Sequence, residues 1–133
     1  MIELLPESHE SLVGFRFIGE IRSDDYAKDF MPPLRRAIKE YGLIRLFVDI
    51  SDLQSEGIGA MDDDVREDSR LLYIERQAIV GDEEWERKLN DVDHFSLFPN
   101  SDVRFFQKDR EQDAWGWILE GMPQIRKMQM AFQ

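Results

Sequence analysis

Leu43-Ile-Arg-Leu-Phe-Val-Asp-Ile-Ser-Asp-Leu-Gln-Ser-Glu-Gly-Ile-Gly-Ala-Met61 decides the fold of this chain. Residues Ile44 to Ile50 are nearly continuous in apolar side chains, which is how a strand covered on both faces reads. Such a strand belongs in the middle of a sheet with helices above and below it. Ser51 to Gly59 is then predicted as a loop, and Ala60 to Leu72 as an acidic helix with Met61, Val65 and Leu72 on one side. In open α/β sheets, ligands and partners gather outside the carboxyl ends of the strands. Ser51, Asp52, Gln54, Ser55, Glu56, Gly57 and Gly59 are therefore the candidate binding residues. Gly57 and Gly59 also have a plainer use, because glycine permits positive φ and close backbone approach at a helix entrance.

Working outward, Met1 to Pro6 is predicted as a short edge strand, and Leu12 to Ile21 as a second with Val13, Phe15, Phe17 and Ile21 on one face. The short polar link between them makes an antiparallel hairpin. Ser23 is the expected N-cap of a helix that recurs through Tyr26, Phe30, Leu34, Ile38 and Tyr41 and stops at Gly42. Pro32-Pro33 predicts a kink in it, or two abutting helices, because proline removes a backbone donor and crowds the preceding turn. Beyond residue 72 come a strand over Ile74–Val80, a helix capped by Asp82 with Trp85, Leu89 and Val92, and a strand over Val103–Phe106. A last helix carries Ala114, Trp115, Ile118 and Leu119, with Asp109 to Gln112 read as a capping box and Gly121 as the stop. Strands separated by helices predict an α/β fold with a mostly parallel five-stranded sheet and an antiparallel edge strand. Residues 1–121 form the expected domain, and 122–133 a tail packing on that domain or on a partner.

The chain has 133 residues, enough for one core, and no cysteine, so disulfides and thiolate chemistry are excluded. Seventeen Lys and Arg against 28 Asp and Glu give a formal charge of −11, which opposes binding to nucleic acid or anionic membrane. No apolar run approaches the length of a bilayer span, so an integral membrane protein is not expected. A cytoplasmic location is the expectation. His9 and His94 are the two imidazoles, and neither has hydroxyl and carboxylate partners in a recognisable motif. Asp62-Asp63-Asp64 with Glu67 lacks the alternation and central glycine of a calcium loop. No catalytic, metal or cofactor site is predicted.

The element order, together with Val80-Gly-Asp82 after a strand and Ala114 to Trp117-Ile118 in the last helix, resembles the SpoIIAA-like proteins. That family is related in fold to the STAS domains, the anti-sigma-factor antagonists, over about residues 1–120. The resemblance implies a regulatory or scaffolding module without established enzymatic activity, and a likeness to lipid-binding domains. STAS antagonists carry an Asp-Ser-Ser-Gly-Leu-Gly loop whose serine before the first glycine accepts phosphate. The matching residues are Gln54-Ser55-Glu56-Gly57-Ile58-Gly59, so the acceptor position holds Glu56 and Gln54 replaces the aspartate. A glutamate carries one charge where phosphoserine carries about 1.5 to 2. The resemblance thus implies a module not phospho-switched in the usual way, with Ser55 and Ser51 as remaining acceptors.

Trp115 and Trp117 are about 200° apart on a helix, so one of them, Trp117 in the candidate set, is expected off the core-facing stripe. With Met122, Met128, Met130 and Phe132 it predicts an apolar surface for a protein partner or a homodimer, or one covered by the tail itself. Three functional readings follow. The first is a non-enzymatic STAS-like interaction module using residues 51–68. The alternative is a binder of a small apolar or lipid-like ligand between helix layer and sheet, near Tyr26, Phe30 and Trp85. An enzyme of undefined class ranks last.

Overall fold

A computed structural model describes residues 1–54, 68–91 and 101–122. Five strands form one sheet in the order β1 (Ile2–Leu4), β2 (Leu12–Gly19), β3 (Ile44–Leu53), β4 (Ile74–Gly81) and β5 (Asp102–Gln107). β1 runs antiparallel to β2, and the pairs from β2 to β5 are parallel. β3 is the middle strand, with Ile44 to Ile50 all buried, as its apolar run predicts. The first short helix, α1 (Ser23–Asp25), leads into α2 (Met31–Tyr41); α3 (Glu83–Asp91) precedes β5 and α4 (Glu111–Leu119) follows it.

Alternation along the strands divides the core. Val13, Phe15, Phe17, Leu46, Val48, Ile50 and Ile79 face one layer, where they meet Tyr26, Phe30, Leu34 and Trp85. Leu12, Phe47, Ala78 and Val80 face the other, where α4 contributes Ala114, Trp117 and Ile118. Strands laid down in sequential order with crossovers of one hand keep the crossover helices on one face. α2 and α3 accordingly share the first layer. α4 follows the last described strand and joins no two of the described strands, so it is free to cover the second.

The proline pair is accommodated by widening the helix. Tyr26–Phe30 forms a π-helical turn in which the Met31 N–H reaches back to the Tyr26 carbonyl, and α2 begins immediately with both prolines in its first turn. Pro32 and Pro33 have no N–H to donate and crowd the carbonyls four residues earlier, and a π-turn relieves both problems. The expected irregularity at the prolines thus takes the form of abutting helical segments joined by the π-turn, and the last of them ends at Gly42 with φ of 81°. Ser23 is not the cap; the helix starts one residue earlier, where the Asp25 carboxylate accepts the Arg22 N–H at 2.9 Å. Asp109 is not a cap either, because Lys108–Arg110 forms a 3-10 turn before α4.

Asp82 caps α3 as expected, accepting the Trp85 N–H at 3.0 Å. The residues before β4 differ: Ser69–Tyr73 is a 3-10 turn that buries Leu71 and leaves Leu72 exposed. The rest of the predicted acidic helix lies outside the described residues, as do Val92, His94 and the tail beyond Met122. Gly81 closes the carboxyl end of β4, where an added Cβ would stand 2.9 Å from Ile50 Cγ1 and 3.2 Å from Phe105 Cζ. Gly81→Ala is expected to destabilise by about 1–3 kcal/mol through overpacking, measured by urea denaturation.

Candidate functional site

The carboxyl end of β3 is organised by a residue that the loop-centred reading leaves out. Asp49 is an acid in a strand otherwise buried from Ile44 to Ile50, and its side chain is only 1% exposed. A carboxylate at that depth requires partners. The Ser51 N–H donates to Asp49 Oδ1 at 2.9 Å, and the Ser51 hydroxyl donates to the same oxygen. Lys108 Nζ, from the turn after β5, donates to Asp49 Oδ2 at 2.9 Å and reaches Glu111 Oε1 at 3.3 Å. Arg16, paired with Asp49 across β2 and β3, holds its Nε 3.6 Å from Oδ2. That is ion-pair range, beyond a direct hydrogen bond.

This knot reshapes the strand. Arg16 pairs with Asp49 but Ile18 pairs with Asp52, so β3 carries one extra residue between those positions. By capturing the amide two residues ahead, Asp49 fixes the bulge that begins at Ile50 and Ser51. Ser51 and Asp52 are therefore strand residues and not the start of a loop. Asp52 and Gln54 point to solvent, while Leu53 is buried and its carbonyl accepts the Trp85 indole N–H at 3.2 Å. The Gln54 N–H is held by the Gly19 carbonyl at 2.9 Å, which fixes the exit of the strand.

Burial pushes the Asp49 carboxyl up, but the hydrogen bonds from Ser51 and Lys108 outweigh it and hold the pKa below the usual aspartate value. For Lys108, desolvation lowers the pKa, and the Asp49 hydrogen bond and charge, with Glu111, bring it above the usual lysine value. Both groups are thus stabilised in their charged forms. A proton-transfer residue is tuned the opposite way, toward neutrality.

Of the candidate residues, Ser51, Asp52 and Gln54 come together here; Ser55, Glu56, Gly57 and Gly59 lie outside the described residues. Trp117 is elsewhere. Its carbonyl accepts from Arg76, near the start of β4, so it stands at the opposite end of the sheet from Ser51. The ring is buried, with the Arg76 and Arg104 guanidinium groups 5.2 and 4.8 Å from its centre. Trp115 instead stacks on Phe47 at 3.8 Å. Indoles are long enough to reach the sheet from either flank of α4, so neither projects as the helical angle predicts. Arg45 and Arg76 donate to carbonyls of Trp117, Ile118 and Glu120, which places cations at the negative end of that helix.

Between α2 and the sheet, Tyr26 and Phe30 are packed against Phe15 and Phe17, with ring centres 5.0 to 6.1 Å apart. The residues named for an apolar ligand thus fill their space with one another, and Trp85 is buried beside them. Among the described residues no three His, Asp or Glu side chains are grouped to hold a metal ion. None of their helices is long and apolar enough to cross a membrane.

The same architecture occurs in a solved structure, an uncharacterized protein from the DUF3478 family with a SpoIIAA-like fold from Shewanella loihica PV-4. It matches with a TM-score of 0.65 and 23% identity, over 88% of this chain and 93% of that one. No curated protein matches. The sequence pattern of the SpoIIAA-like family covers residues 12–119, from the first residue of β2 to the last of α4, and the chain belongs to that family.

Proposed function

We propose that this protein is a regulatory or protein-interaction module that docks a protein partner where β3 leaves the sheet, through Ser51, Asp52, Gln54 and the residues that follow to position 68. The observation that carries this reading is the Asp49 knot. It spends a buried carboxylate, a serine and a lysine on fixing one strand exit, and it leaves Asp52 and Gln54 exposed on a rigid base. Rigid presentation of polar groups lowers the ordering cost of association and favours recognition. The charge states of Asp49 and Lys108 also suit a scaffold more than an acid–base pair.

The test is native mass spectrometry of freshly purified protein from its own host, comparing the wild type with Asp52→Lys/Gln54→Lys. Both positions are exposed, so the fold should tolerate the change. A defined protein is expected to accompany the wild type and to be lost from the variant. Retention of a lipid by both forms, with no protein, would sink the proposal in favour of the apolar-ligand reading.

A further inference from the structure

A second surface lies at the amino ends of the parallel strands, away from the Asp49 knot. A groove of about 290 Å³ runs between the turn joining β1 to β2 and the last turns of α2. Leu4, Leu12 and Ala37 contribute apolar lining, and Glu10, Glu40 and Tyr41 line it as well. Leu4 and Tyr41 are nearly half exposed. The carboxylates of Glu10 and Glu40 line it with one guanidinium, that of Arg36, and the His9 imidazole stands 3.5 Å from Glu10. The Tyr41 hydroxyl is pushed up by desolvation and then by the carboxylates of Glu40 and Glu10, so both acids act on this rim. Apolar lining with a surplus of carboxylates suits an apolar segment that carries basic residues.

Such a segment begins a few residues away. Met122 is buried in the cluster that holds Leu5 and Leu12, and Leu12 also lines the groove. The Glu120 carbonyl accepts from Arg45, whose own amide donates to the Ser11 carbonyl at 2.8 Å. The chain therefore leaves the described fold beside the start of β2. Residues 123–133 contain Ile125, Met128, Met130 and Phe132, with Arg126 and Lys127 as their charged side chains and no acid. Eleven extended residues reach about 36 Å, ample for this distance.

We propose that the groove between the β1–β2 turn and α2 is the docking site of the chain's own residues 123–133, seated by apolar contact and by Arg126 and Lys127 against Glu10 and Glu40. Tethering gives the segment a high effective concentration at the groove, so contacts too weak to hold a free peptide hold this one. An external partner using the same groove would have to displace it.

The absence of cysteine makes the test direct, since Gln133→Cys supplies a single attachment point for a nitroxide in the full-length chain. In the isotope-labelled protein, the amide signals of Ser8 to Glu10 and Ala37 to Tyr41 are expected to be lost, and to return when the nitroxide is reduced. Adding Arg126→Glu/Lys127→Glu should restore most of those signals with the nitroxide intact. Unchanged groove signals, or losses confined to another surface, would overturn the proposal. So would equal losses in a mixture of isotope-labelled chains without nitroxide and unlabelled chains with it, because the occupant would then be a second copy.

Discussion

Phe47→Ala is expected to lower the stability by about 3–5 kcal/mol, the range for emptying a buried aromatic site. Phe47 is fully buried in the middle strand and carries the Trp115 ring flat against its own, with 10° between the planes. The change therefore removes both the apolar burial of the sheet's second face and the stacking that seats α4. Domains are stable by only about 5–15 kcal/mol in total, so the loss is a large share of what exists. Urea denaturation should show a lower midpoint with an unchanged slope. Native-state Trp emission should shift to the red as the Trp115 ring loses its cover. An unaltered midpoint would mean that α4 is not held through this contact.

Lys108→Met is the second large effect, at about 2 kcal/mol at neutral pH. Breaking a fully buried ion pair typically costs about 3–5 kcal/mol, but the Lys108 side chain is 46% exposed and screened by water, and Arg16 stands 3.6 Å from the same carboxylate, so the loss is smaller. Acid sensitivity should change as well. In the wild type the folded Asp49 pKa lies below its unfolded value of about 3.9, so the stabilisation is complete above that pH and is lost as pH falls through the folded value. In the variant, burial acts with less opposition, the folded pKa rises, and the acid-induced loss begins nearer neutrality. Lys108 behaves in the reverse sense: its contribution is complete below about pH 10.4 and is lost as pH rises through its higher folded value. Adding Asp49→Asn to Lys108→Met should recover part of the stability, because no buried charge is then left unpaired. Thermal melts of the three proteins across the acid range decide the matter.

The legible parts of the fold were those written in periodicity. The doubly covered β3, the hairpin of β1 and β2, the Asp82 cap and the helical stop at Gly42 each follow from local side-chain patterns, and all are present. Tertiary partners decided what periodicity could not. Ser51 and Asp52 read as loop because they are polar, yet the Asp49 carboxylate draws them into the strand as a bulge. The Asp49 signal was available, as a lone acid in an apolar run, but its partners Lys108 and Arg16 are distant in sequence and meet only when β5 and β2 are in place. Leu71 is buried in place of Leu72 because residues 69–73 form a 3-10 turn, which rotates the buried side by a residue. Trp117 is covered by Arg76 and Arg104, and a helical angle alone cannot anticipate cations arriving from two neighbouring strands.

The sequential strand order has a consequence for how the chain is made. Each strand finds its partner in the one synthesised just before it, so the sheet can lengthen as the nascent polypeptide emerges. Its second face has no such luck of timing, because α4 is the last described helix to be completed. Until residue 119 is clear of the ribosome, Phe47, Ala78 and Val80 lack the described helix that packs on them. Translation that stalls before Glu111 would release a half-clad sheet, the kind of intermediate that chaperones intercept and that aggregates when they do not.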